Sequence, residues 1–130
     1  MENGAAMSTE QRKDTRRLAL GPGFSIRFQV QGRTLEAPIL NLSYGGCFSL
    51  VPFKDARHFD RGVPITELQL LHPDHPKGTF TCQVAYTLGG ASGTGHMEQV
   101  GMGIQFLDAD PVTQRALQAW LDREWDQKGL

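Results

Sequence analysis

An excess of charge of either sign is the first thing this 130-residue chain lacks: 13 Lys and Arg stand against 14 Asp and Glu, a formal net charge of −1. A dedicated duplex-DNA binder needs a broad basic face, and the balance leaves none to build it from. Cysteine is scarce as well. Cys47 and Cys82 are the only two, each inside an apolar, strand-like run, which reads as a pair of buried reduced thiols rather than a bridge. No apolar run approaches the roughly 20 residues of a membrane-spanning helix, so no membrane insertion is expected. Residues 1–10 lack the basic and apolar halves of an export signal, and the expected location is cytoplasmic.

Catalytic sets are missing too. His72 and His75 lie three apart between prolines, with no cysteine or acid at zinc-like spacing, and read as a surface turn. The glycine-rich stretch from Gly89 to Gly95 lacks the Gly-Lys-Ser/Thr ending of a phosphate loop. Ser43 has no G-x-S-x-G context. The phenylalanines alternate inward, which removes the exposed platforms that single-stranded nucleic acid requires. The sequence therefore reads as a non-enzyme with no DNA or RNA partner.

Glycine is what the chain has in abundance: 15 glycines with 7 prolines favour turns between many short strands. Phe24, Ile26, Phe28 and Val30 alternate with polar residues as a half-buried strand does. Further strands are expected over Thr34–Leu42, Cys47–Val51, Ile65–Leu71, Thr79–Leu88 and Val100–Leu107. Pro38 cannot donate to a ladder and predicts an edge or a bulge. Phe80, Cys82, Val84 and Tyr86 stand two apart, while Gly101 and Gly103 suggest a crowded segment. Pro52–Pro64 reads as a long connection and Gly89–Gln99 as a flexible one. Asp110 and Pro111 announce a helix, with Val112, Ala116, Leu117, Trp120, Leu121 and Trp125 on one stripe and Gly129 just past its end. The expected fold is mainly β: a six-stranded antiparallel barrel over about residues 24–107, with a C-terminal helix over about 111–126 packed on it. Residues 1–11 form a flexible arm and 12–127 a single domain. Any part of the helix stripe left uncovered would serve as a partner or homodimer surface.

Two stretches stand out. Asn41-Leu42-Ser43-Tyr44-Gly45-Gly46 lies between apolar runs and reads as a strand end and tight turn. In an extended backbone Asn41 and Ser43 share one face and Leu42 takes the other, toward a core. About twenty-five residues upstream of Asn41 sits Arg16, within Arg12-Lys13-Asp14-Thr15-Arg16-Arg17, where four cations meet one anion.

Together these residues resemble the PilZ domain family. Its pattern is an R-x-x-x-R leader, matched by Arg12 and Arg16, followed by [D/N]-x-S-x-x-G, matched by Asn41, Ser43 and Gly46. The resemblance extends through the alternating strand, the Gly101–Phe106 strand and the terminal helix, from about Gln11 to Trp125. It implies a receptor for cyclic di-GMP that signals by a change of shape to a downstream protein partner, without chemical turnover and without a further cofactor. The alternative is a ligand-free interaction module of the same fold, such as an adaptor in a motility or pilus assembly. The implied ligand site comprises Arg12, Arg16, Arg17, Asn41, Ser43, Gly45 and Gly46.

Overall fold

Two-residue alternation of apolar side chains becomes seven strands, followed by one long helix. The computed structural model describes residues 18–20, 23–56, 59–72, 77–88 and 99–127. In chain order the elements are β1 (Leu18–Ala19), β2 (Ser25–Val30), β3 (Arg33–Ser43), β4 (Gly46–Pro52), α1 (Phe53–Ala56), β5 (Pro64–Leu70), β6 (Phe80–Leu88), β7 (Gln99–Asp108) and α2 (Pro111–Gln127). The strands run β3-β2-β5-β6-β7-β4, and β4 returns to pair with β3, so a six-stranded antiparallel barrel closes. β1 is an extra strand alongside β3.

The β2–β3 hairpin shows how the sequence closes a turn. Gln31 and Gly32 both adopt left-handed backbone, φ 50° and 79°, between the paired Val30 and Arg33. That combination matches the right-handed twist of the flanking strands. Inside, Ile26, Phe28, Leu42, Ile65, Leu68, Val84 and Met102 are completely covered. Burying one such side chain contributes about 1.5–3 kcal/mol. Cys47 and Cys82 are both buried and free, and burial pushes the Cys82 thiol up to about 12.

Three irregularities shape the barrel. On β3 the register against β4 shifts between Ile39 and Asn41. The extra residue lets Ile39 and Leu42, three apart, both enter the core. Pro38 lies just before this bulge and pairs with Ser25, while Ser49 Oγ donates to the Pro38 carbonyl at 2.7 Å. On β6 a shift between Val84 and Tyr86 turns Tyr86 outward, so the period-two run that the sequence suggests stops at Val84. On β5 the ladders to β2 and β6 are both irregular, and Glu67 sits there at φ 53°.

The Pro52–Pro64 connection contains α1, whose Asp55 is fastened to the start of β3 where Arg33 Nη2 donates to Asp55 Oδ1 at 3.0 Å. At the start of α2, Asp110 Oδ1 accepts from the Thr113 amide at 2.8 Å and Oδ2 from the Thr113 hydroxyl at 2.9 Å. These bonds hold the Asp110 carboxyl below its usual range. Leu117, Trp120 and Leu121 face the barrel, with Trp120 edge-on to Phe24 at 6.3 Å. Val112 departs from the expected stripe: it is 67% exposed, and Thr113, tied into the cap, is buried in its place. The expectations for residues 1–17, for 89–98 and for Gly129 lie outside the described residues. Among the described residues no helix is long and apolar enough to cross a membrane.

Candidate functional site

An open hollow of about 450 Å³ lies on the outer wall of the barrel, where the β3–β4 turn meets β6 and β7. Among the described residues its lining carries no Asp, Glu, Lys, Arg or His. A smaller recess of about 200 Å³ adjoins it beneath the start of α2, and Tyr44 and Phe106 belong to both.

One wall is the Asn41–Gly46 segment. Ser43 is buried, and its Oγ donates to the Gly46 carbonyl at 3.2 Å, bracing the turn from within. The Gly45 carbonyl accepts from the Phe106 amide at 2.9 Å, which ties the turn to β7. A Cβ on Gly46 would meet the Ile104 carbonyl oxygen, so glycine is required there by the close crossing of β4 and β7. Leu42 points into the core, on the face opposite its neighbours. Ser43, Gly45 and Gly46 line the hollow together; Asn41, half-buried and paired with both Ala19 and Phe48, does not.

The facing wall comes from β6 and β7. Gly103 pairs with Phe48 on one side and Tyr86 on the other, and a Cβ on it would run into the Tyr86 ring. A Cβ on Gly101 would likewise meet the Phe48 ring. The crowding expected of this segment thus has a specific form: two bare positions seat two aromatic rings, 6.2 Å apart between centroids, on the outside of the barrel. Tyr86 keeps 37% of its surface exposed. Two positions along β7 from Gly103, Gln105 takes a hydrogen bond on Oε1 from Gln83 Nε2 at 2.8 Å. Tyr44, Tyr86, Gln105 and Phe106 line the hollow, and none is part of the motif read from the sequence. Tyr44 lies inside the turn already singled out, whereas the signal for Tyr86, Gln105 and Phe106 was present only in the pairing of β6 with β7, which the bulge at Ala85 displaces by one residue.

Arg12, Arg16 and Arg17 lie outside the described residues. The chain immediately after them is β1, where Leu18 pairs with Leu42 and Ala19 with Asn41. The first described residue, Leu18, is thus held beside the last rungs of β3, one position from Ser43.

A closed antiparallel barrel of six strands, followed by one helix and hollowed beside its β3–β4 turn, defines a small all-β domain of a known kind. The sequence profile of the PilZ domain matches residues 10–123, and the chain belongs to the PilZ domain family. The PilZ domain of YcgR from Escherichia coli, solved with c-di-GMP, is similar in fold at TM-score 0.63 and 20% identity, over 87% of this chain and 93% of that one. MrkH of K. pneumonia in its apo state is similar at TM-score 0.71 and 17% identity, over 87% of this chain and 51% of that one. The Bacillus subtilis inhibitor of motility MotI/DgrA is similar at TM-score 0.68 and 16% identity, over 88% and 51% respectively. This chain thus spans about half the length of MrkH and of MotI. No curated protein matches it by sequence.

Proposed function

We propose that this chain is a cyclic di-GMP receptor that binds without chemical turnover and signals to a protein partner by a change of shape. The observation that carries the reading is the pairing of Leu18 with Leu42, which anchors the arginine-bearing segment one rung from Ser43. Arg16 is two residues before Leu18 and Arg12 is six. At no more than ~3.6 Å per residue, these positions lie within about 7 Å and 22 Å of the anchor. Both are in reach of a hollow whose lining begins at Ser43.

The chemistry divides accordingly. The ligand carries two phosphates and two guanines, and the described lining of the hollow holds no cation to meet that charge. Arginine supplies it, together with a plane that stacks on a purine and a fork that meets the guanine O6/N7 edge. Arg12 and Arg16 grip phosphate and guanine, with Arg17 assisting. Ser43 shapes the wall through its bond to the Gly46 carbonyl, Asn41 stands beside it on β3, and Gly45 and Gly46 add no side chain to the turn. Tyr86 adds a stacking face on the opposite wall. Solved relatives of this fold, the YcgR PilZ domain among them, hold the same dinucleotide, which supports the reading.

Each charge-assisted bond contributes on the order of 1.5–3 kcal/mol, against roughly 1–2 kcal/mol for each backbone residue ordered. Over a six-residue leader these terms nearly cancel, so affinity is moderate and weakens with salt. Calorimetry tests this directly. The parent protein releases heat on titration with cyclic di-GMP, and Arg16→Ala binds at least tenfold more weakly. A parent that takes up no ligand, with no shift in melting temperature, would leave the ligand-free interaction module as the better reading.

A further inference from the structure

We propose that Gln83 and Gln105 act as a coupled pair that makes one base position of the hollow selective for guanine over adenine. The inference rests on the reading of the hollow as a cyclic dinucleotide site and adds a determinant that the motif residues do not contain. Gln83 and Gln105 face each other across β6 and β7 as direct partners. Gln83 Nε2 donates to Gln105 Oε1 at 2.8 Å, which turns the oxygen end of the Gln105 amide toward Gln83 on β6. Gln105 lines the hollow and Gln83 does not. On the other side of β7, Gln105 is paired with Gly46, so no side chain from β4 stands over it.

Other polar groups in that lining are less able to read a base. Ser43 has already given its proton to the Gly46 carbonyl, and among the described residues the rest of the lining includes no amide or charged side chain. The Gln105 amino group, with two N–H donors, is therefore the nitrogen donor that a side chain presents there. Guanine shows two adjacent acceptors on its outer edge, O6 and N7, whereas adenine shows N7 beside an amino donor. A glutamine free to turn reads adenine well, offering its oxygen to the amino group and its nitrogen to N7. With the oxygen end of its amide turned to Gln83, Gln105 offers its donors to the base, which suit O6 and N7 of guanine and meet the amino group of adenine unfavourably. Gln83 is a positioning residue: it touches no ligand and acts by fixing which way its partner faces.

The two bases of the ligand then have separate readers, the arginines for one and Gln105 for the other. Cyclic GMP–AMP, with one of each base, separates them. Calorimetry of the full chain with cyclic di-GMP and with cyclic GMP–AMP gives the ratio of the two Kd values, which in the parent favours cyclic di-GMP. In Gln105→Leu that ratio falls about tenfold, because the contact specific to the second guanine is gone. In Gln83→Leu it falls severalfold by a different route: Gln105 turns over and cyclic GMP–AMP binds more tightly than to the parent. Both side chains lie on the outer face of the barrel, and a melting curve on each variant confirms the fold. Ratios within twofold of the parent in both variants would overturn the proposal while leaving the receptor reading intact. So would a ratio that rises in Gln83→Leu. A parent that binds neither dinucleotide removes both.

Discussion

The two walls of the hollow divide their labour unequally. The β3–β4 wall carries the motif, yet its groups are largely spent on the protein itself: Ser43 on the Gly46 carbonyl, the Gly45 carbonyl on Phe106, and Gly46 on room for Ile104. The β6–β7 wall carries no motif residue, yet it turns a ring and an amide outward, Tyr86 over Gly103 and Gln105 beside Gln83. The contrast teaches that a signature can persist because it shapes a cavity, while the surface facing the cavity is contributed by residues the signature omits. Arginines aside, the recognisable residues build the mould and the unremarked ones face what fills it.

Substitution can break this contrast. The largest effect is expected at Gly46. Alanine there drives a methyl group against main chain of β7, which cannot swing aside as a side chain does, and costs about 3 kcal/mol. The melting temperature should fall by roughly 5–10 °C. A loss below about 1 kcal/mol would mean that the crossing is slack and the glycine is kept for the ligand instead. On the opposite wall, Tyr86→Leu removes a stacking face worth about 1–3 kcal/mol per base. Cyclic di-GMP affinity should drop about tenfold while the melting temperature stays within about 2 °C. If melting moves and affinity does not, the two walls have been assigned the wrong way round. The smallest effect is expected at Ser43. Its replacement by alanine removes one buried hydrogen bond and costs about 1 kcal/mol in a urea titration, with an unchanged slope. Loss of binding without that stability cost would return Ser43 to the ligand.

Much of the fold was legible in the sequence. Ile26, Phe28 and Val30 enter the core as their alternation requires, and Asp110 caps the helix from the position its side chain suits. The Asn41–Gly46 turn lies between the strands that its flanking apolar runs predict, and the ring of six strands closes as expected. What escaped has a common physical origin. A bulge adds one residue and reverses which face every later side chain takes, yet almost any residue can occupy it. That is why Tyr86, aligned with Val84 by simple counting, stands outside. The bulge at Leu40 did leave a sign: it lies two residues past Pro38, whose missing donor foretold an edge or a bulge, and it puts Leu42 where an apolar residue is expected. β1 has two residues, too few for any period to register. Val112 and Thr113 exchanged places because the Asp110 cap binds the threonine at both amide and hydroxyl, which polarity alone does not foretell.

A closed barrel still has a seam. From Arg33 to Pro38, β3 pairs with β2, and among the described residues no strand takes its other edge. An incoming strand from a neighbouring molecule would meet Arg33, already held by Asp55, then Glu36, bound to Arg27 at 2.8 Å, and finally a proline with no amide to offer. Charge and a missing donor guard the stretch where edge-to-edge growth of the sheet would otherwise begin. Along this stretch the barrel resists edge-to-edge self-association by its own chemistry.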